Sequence, residues 1–308
     1  MEPGNVREVT AGDCTDTYYV ETGMYDTTGY GAVYVIDDER PAIVDSGIGT
    51  NHERVLAGIE AAGVDREELA VIALTHVHLD HAGGAGFLAE ACPSATVYVP
   101  EVGGHHLLDP ERLVAGTKAA VGDQWVHYTE PEPLPEDRTV EYADGDVIDL
   151  GDHELRVHAA PGHAPHHNVF EEPTNDAVFV GDAAGLWVPE LEEIVETSPP
   201  PQFDLEGCLA DVETLTAIDP AVLLYPHFGP REVGPDAEEA LAAYATVLTE
   251  WVESVAAVRA ELGDDEAVVS HFADRPKATA VWGEEKARAE RVMNTRGVLR
   301  YLDHRDEE

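Results

Sequence analysis

The chain has 308 residues, enough to bury a sizeable core in one large domain or two small ones, and its 44% apolar content argues against disorder. Eighteen basic residues face 62 acidic ones, for a formal charge of −44, and the only lysines are Lys118, Lys277 and Lys286. That balance excludes a surface built to neutralise nucleic-acid phosphates. Because the acids are spread along the chain instead of forming a tail, it reads as a surface like those of salt-loving microbes, adapted to a saline cytosol.

Cys14, Cys92 and Cys208 are far apart and form no CxxC pair. They are expected to be free or buried thiols in a reducing compartment, neither a disulfide framework nor a zinc site. The first residues lack the basic-then-apolar order of a signal peptide. No apolar run approaches the ~20 residues that span a bilayer. The expected location is cytoplasmic, with no membrane partner.

Short β-branched runs predict strands at Thr17–Val20, Ala32–Ile36 and Ala42–Val44, followed by a helix over His52–Ala62. An apolar strand, Val71–Leu74, leads directly into a histidine cluster, and a helix begins near Gly84. Ala95–Val99 reads as a strand, Gly104–Gly122 as a helix in two pieces broken at Pro110, and Glu130–Glu136 as surface loop. The second half repeats the rhythm, with strands at Val147–Leu150, Leu155–Ala159, Ala177–Val180 and Val222–Leu224 and a helix at Leu205–Ile218. Strands alternating with helices imply a layered α/β domain. Beyond Pro235 the chain becomes helical, with amphipathic helices over Asp236–Leu262 and Glu284–Leu302 joined by a loop holding Pro276. Residues 1–235 are therefore expected to form the main domain, and 236–308 a helical appendage packed on it.

His76, His78, Asp80 and His81 fall within six residues, directly after a strand. Residues two apart project to one side of an extended loop, so His76 and His78 can meet at one ion while Asp80 and His81, past the turn, face another. Imidazole and carboxylate at this density suit zinc or a similar borderline metal. Three further segments, around His163, Asp182 and His227, also begin where a strand ends, which is where layered α/β folds place their sites.

The series His76, His78, Asp80, His81, His163, Asp182, His227 resembles that of the metallo-β-lactamase superfamily, over residues 15–230. The resemblance implies a four-layer αβ/βα sandwich with extra C-terminal helices. It also implies a site for two Zn2+ ions, with Fe2+, Mn2+ or a mixture as alternatives. His76, His78 and His163 would hold the first ion, Asp80, His81 and His227 the second, and Asp182 would bridge them. Asp45 matches an early aspartate that supports such sites by hydrogen bonding. His167 matches a structural histidine, and His166 departs from a common glycine and is expected to point toward the pocket.

The function implied by the resemblance is that of a dinuclear zinc hydrolase using a metal-bound hydroxide on an ester, thioester or lactone, as in glyoxalase-II-like and acyl-homoserine-lactonase-like members. Asp80 would orient the nucleophile and exchange its proton. Tyr225, Trp187 and His166 are candidate oxyanion or leaving-group donors. The alternative is a mononuclear iron oxidoreductase resembling a persulfide dioxygenase, which needs only His76, His163 and Asp182. The expected partner is a small-molecule substrate, with a homodimer open, and the terminal helices are expected to shape either the site or a dimer contact.

If the charge is an adaptation to salt, molar KCl should raise the melting temperature steeply, because it shortens the screening length to about 3 Å. A melting temperature that falls on adding KCl would remove that reading.

Overall fold

The computed structural model describes residues 4–307. Seven strands form the first sheet in chain order: β1 (Val6–Glu8), β2 (Thr17–Glu21), β3 (Ala32–Ile36), β4 (Ala42–Val44), β5 (Val71–Ala73), β6 (Thr96–Pro100) and β7 (Thr139–Tyr142). Pairing is antiparallel from β1 to β4 and parallel from β4 to β7. The parallel half needs crossovers. Helix α1 (His52–Ala61) links β4 to β5, and the short α2 (Leu79–Ala82) with α3 (Ala85–Ala91) links β5 to β6. Helix α4 (Glu111–Val121) lies in the connection from β6 to β7.

The next strands are β8 (Val147–Asp149), β9 (Glu154–Ala159), β10 (Asn168–Glu172), β11 (Ala177–Phe179), a small hairpin of β12 (Leu186–Val188) and β13 (Glu193–Val195), then β14 (Val222–Tyr225) and β15 (Gly229–Glu232). The second sheet has six strands in the order β15-β14-β11-β10-β9-β8. Helix α5 (Leu205–Ile218) precedes β14, and α6 (Ala237–Leu262), α7 (Asp265–Ala273) and α8 (Thr279–Glu307) follow β15.

Side-chain alternation along the strands assembles the layers. In β3, Ala32, Tyr34 and Ile36 face the inter-sheet core with Phe170, Phe179, Val222 and Leu224, while Val33 and Val35 face outward onto α1 and α3. In β14, Leu223 and Tyr225 turn the other way, onto α5, α6 and the terminal helices. The result is a four-layer arrangement, helices–sheet–sheet–helices. Contact between layers is close enough at α1 that a Cβ on Gly58 would come within 2.4 Å of Val20, which requires glycine there.

Several differences from the sequence reading have local causes. Residues 6–8, 139–142, 168–172, 186–188, 193–195 and 229–232 are additional strands; most are polar or short, so alternation is hard to see, and they are strands because a neighbour supplies hydrogen bonds. Phe272, read as loop, lies in α7, whose start is capped by Asp264 accepting from the Ala267 N–H at 2.8 Å. The last helix begins before Glu284 and is interrupted at Gly283, where φ is +75°.

The segment Gly234–Leu262 is long and apolar enough, by length and composition alone, to cross a membrane, although Glu250 and Glu253 keep it from being one uninterrupted apolar run. It packs as a core helix instead. Leu241, Tyr244, Leu248, Trp251, Val252 and Val255 form a buried stripe, while Glu250 and Glu253 occupy other faces. Cys14, Cys92 and Cys208 are free and buried.

The terminal helices share the core of the second sheet: Val268, Val269 and Phe272 of α7, and Val298, Leu299, Tyr301 and Leu302 of α8, join α5, α6 and β14 in one cluster. Phe272 stands edge-on to Trp251, ring centroids 4.8 Å apart. Phe272→Ala should cost about 3–5 kcal/mol, as large-to-small core changes do. A urea midpoint unchanged from wild type would show that α7 is not integral to the core.

Candidate metal centre

The site lies along one end of the two sheets, where strands give way to loops. The β5–α2 turn carries His76 and His78, and the first turn of α2 carries Asp80 and His81. His163 lies between β9 and β10, Asp182 follows β11, and His227 sits between β14 and β15. All of these are buried except His78 and Asp80, which are half-buried and face the cleft.

Three ligand groups form from these seven residues. His76, His78 and His163 make one, His76, His81 and Asp182 a second, and Asp80, His81 and His227 a third, each with its ligand atoms within 4.8 Å of one another. In the first group, His78 Nδ1 is 3.1 Å from both His76 Nε2 and His163 Nε2. A four-coordinate ion with arms of about 2.0–2.1 Å separates its ligands by roughly 3.3 Å, so these spacings are those of a coordination shell. Asp182 connects the halves. Its Oδ2 is 3.2 Å from His163 Nε2 and 3.6 Å from His81 Nε2, and its Oδ1 is 3.5 Å from His227 Nε2.

Two of the atoms that would meet a metal have no hydrogen-bond partner among the described residues. His81 Nε2 and Asp182 Oδ1 are buried without a hydrogen bond, an arrangement that is costly unless a ligand completes it. Five imidazoles and two carboxylates suit a borderline dication. The residues present therefore fit a metal cofactor.

The opposite ring edges set the tautomers. Asp45 Oδ2 is 3.1 Å from His81 Nδ1, and Thr75 Oγ1 lies 3.0 Å from both Asp45 oxygens and from His76 Nδ1. A hydroxyl has one hydrogen, so Thr75 donates to Asp45 and accepts from His76 Nδ1–H. One carboxylate thus orients His81 directly and His76 through Thr75, leaving both Nε2 atoms bare. Asp45 holds this position with φ at +61°, in the left-handed region, and accepts the Thr75 N–H at 2.8 Å. His227 Nδ1 is fixed by the Tyr30 carbonyl at 3.2 Å. The sequence reading missed Thr75, whose position immediately before His76 was the available signal.

His167 does not touch the ligand atoms. Its Nε2 accepts the Asp182 N–H at 2.9 Å, and a Cβ on Gly181 would fall 2.3 Å from that nitrogen. Glycine is required there, with φ at +48°. His166 lines the cleft as expected, stacked 5.9 Å from His76, and burial followed by the neighbouring His78 pushes its pKa down to about 2. It is a neutral wall residue at ordinary pH.

Two donor candidates do not reach the cleft. Strand alternation turns the Tyr225 ring into the core beside α5 and α6, away from the site. Trp187 lies in the β12–β13 hairpin with the Arg231 guanidinium 3.7 Å from its ring.

Electrostatics divide the cluster. Burial holds His76 and His163 well below the usual imidazole value, and lowers His78. Neutral imidazole is the form a metal needs. Burial also works against a charged His81, but Asp182 and Asp80 outweigh it and raise that residue well above its ordinary value. The same negative field that favours a proton there favours a dication.

Above the ligands is a cleft of about 790 Å³. Leu113, Val121, Leu186 and Met293 give it apolar walls, and Tyr25, Tyr128, Lys286 and Glu290 give it polar ones. Helix α4 forms one side, while α8 supplies the other through Lys286, Ala289, Glu290, Met293 and Asn294. The terminal helices thus line the cleft, one of the two outcomes expected of them. The sequence reading missed His105 and His106 at the rim, and it missed Tyr25, Tyr128 and Lys286, which come from distant segments.

Comparison with known proteins agrees with this geometry. The sequence profile of the metallo-beta-lactamase superfamily matches residues 26–227. The chain is 25% identical over 221 residues to the metallo-beta-lactamase fold-containing protein ST1585 of Sulfurisphaera tokodaii, covering 70% of this chain and 79% of that one. It is 32% identical over 108 residues to a hydroxyacylglutathione hydrolase of Maricaulis maris, but that match spans only 35% of this chain and 31% of the relative. Among solved structures, a metallo-beta-lactamase family protein from Thermus thermophilus superposes with a TM-score of 0.64 at 20% identity, covering 90% of this chain and 89% of that one.

Asp45→Ala removes the acceptor that orients both His76 and His81. Metal affinity, measured by competition with a chromophoric chelator, should fall about 10–100-fold, the usual effect of losing a group that orients a ligand. Unchanged affinity would show that packing alone sets the ring orientations.

Proposed function

The chain belongs to the metallo-beta-lactamase superfamily, and from that premise we propose that it is a dinuclear zinc-dependent hydrolase acting on an ester, thioester or lactone. The observation that carries this reading is the Asp182 carboxylate at the floor of an apolar-walled cleft, with Oδ2 3.2 Å from His163 Nε2 on one side and Oδ1 3.5 Å from His227 Nε2 on the other. The partial similarity to a hydroxyacylglutathione hydrolase points to the same kind of chemistry. A lone iron would need only His76, His163 and Asp182, and would leave Asp80, His81 and His227 without a role.

When bound, a pair of dications supplies an acidified water and polarises the acyl oxygen. The chain's own residues do the rest. His76, His78 and His163 would hold one ion and Asp80, His81 and His227 the other, with Asp182 placed to serve both. Asp80 is the ligand carboxylate most open to the cleft, its side chain 24% exposed against 8% for Asp182. It orients the attacking water, accepts its proton and returns it to the leaving group. Leu113, Val121, Leu186 and Met293 seat the acyl portion and keep bulk water from it. No serine or cysteine nucleophile is required.

Protein prepared in zinc should contain about two ions per chain, since seven ligand residues exceed what one four-coordinate ion uses. A hydrolysis panel of thioesters, lactones, aryl esters, nitrocefin and phosphodiesters should show turnover in the first three classes. Asp80→Asn should keep the first ion and lose at least ~100-fold in kcat. One iron per chain, or normal turnover by Asp80→Asn, would overturn the reading.

A further inference from the structure

Two phenols stand in the cleft wall, Tyr25 from the loop after β2 and Tyr128 from the segment after α4. Both are about nine-tenths buried. Their hydroxyls are hydrogen-bonded to each other, and among the described residues neither has another protein partner. Two hydroxyls carry two hydrogens, and one of these fills the bond between them. The second has no acceptor among the described residues, and a donor left in that state is unfavourable until something pairs with it. Whichever phenol donates internally, the pair presents one O–H to whatever enters the cleft.

The surroundings fix that donor in place. Lys286 lies against the Tyr25 ring, Nζ 3.3 Å from the centroid, and is tied to Glu290 one helical turn away. A cation held on the π face anchors the ring that carries the hydroxyl. Tyr25 stands edge-on to Tyr30, ring centroids 5.1 Å apart, and Tyr30 stands edge-on to His227 at 5.0 Å. The pair is therefore on the His227 side of the metal centre. After burial, the largest influence pushing up the Tyr128 phenol is the charge of Asp80, consistent with that position.

We propose that the Tyr25–Tyr128 pair is the donor that binds the substrate's acyl oxygen and stabilises the negative charge that develops there, for substrates with an aliphatic acyl portion. Of the donor candidates read from the sequence, Tyr225 and Trp187 do not reach the cleft, and His166 lines it on the His76 side. The role of the pair rests on the reading of this cleft as an acyl-hydrolase site. Lys286 and Glu290 act through Tyr25 and are positioning residues.

The hydrogen count yields a distinctive test. Tyr25→Phe and Tyr128→Phe each leave one hydroxyl with its hydrogen, whereas the double variant has none. Each single change should alter kcat less than ~3-fold, so that their product stays below about 10-fold, and the double on the order of 100-fold or more, as loss of an oxyanion donor does. KM, metal content and melting temperature should stay near those of wild type. A double variant within ~3-fold of wild type, or one equal to the product of the two singles, would overturn the proposal in favour of packing.

Binding of octanoate to the metal-free protein, measured by titration calorimetry, separates this proposal from the reading of the reaction. If wild type hydrolyses nothing in the panel, the proposed reaction fails, and the donor is judged on binding alone. Octanoate should bind the double variant about 10-fold more weakly, the loss of one hydrogen bond to a charged acceptor. Equal affinity, or no binding by wild type, would overturn the donor.

Discussion

Bare imidazole nitrogens held about 3 Å apart in a buried site repel one another, as at His76, His78 and His163, and among these rings His76 has its other edge tied by a hydrogen bond, to the Thr75 hydroxyl. Asp45 supplies the central constraint. It takes the His81 Nδ1–H directly and the His76 Nδ1–H through the Thr75 hydroxyl, so one carboxylate aims two ligands. Its left-handed backbone conformation and its bond to the Thr75 N–H lock β4 against β5 at the site. The layered fold serves this point by bringing strand ends from two sheets to one edge, where His163, Asp182 and His227 complete the set.

The polar site and the apolar cleft solve different problems. The ligands need exact ring orientation, which hydrogen bonds and required glycines such as Gly181 provide. Substrate selection needs shape, and α4 and α8 supply that from outside the two sheets. Because α7 and α8 share the core with β14 and α6, the helix that presents this wall is anchored by the core behind it. A buried lysine in a chain with only three lysines belongs to this wall, held by Glu290 and the Tyr25 ring, and not to the charged exterior.

Much of the histidine-bearing edge was legible in the sequence because its residues form short local motifs. His76 to His81 occupy one loop and one turn of helix, so their spacing alone decides which can converge. His163, Asp182 and His227 were legible for another reason: each follows or adjoins an apolar strand in a layered α/β pattern. The less visible strands, such as Gly229–Glu232, carry polar or irregular residues, and only pairing with a neighbour makes them strands. Tyr225 shows the limit of proximity in sequence. It lies two residues from His227, yet alternation along β14 sends its ring to the opposite layer.

By itself the sequence determined the layered class, the strand-end candidate ligands and the acidic composition, because periodicity, spacing and charge are properties of neighbouring residues. Only the tertiary structure decided the donors and walls of the cleft. Tyr25 and Tyr128 are 103 positions apart, and Lys286 comes from a third region altogether, so no local pattern couples them. Their meeting depends on where whole layers pack, which is set by long-range burial of apolar faces and leaves no mark in the residues on either side of each group.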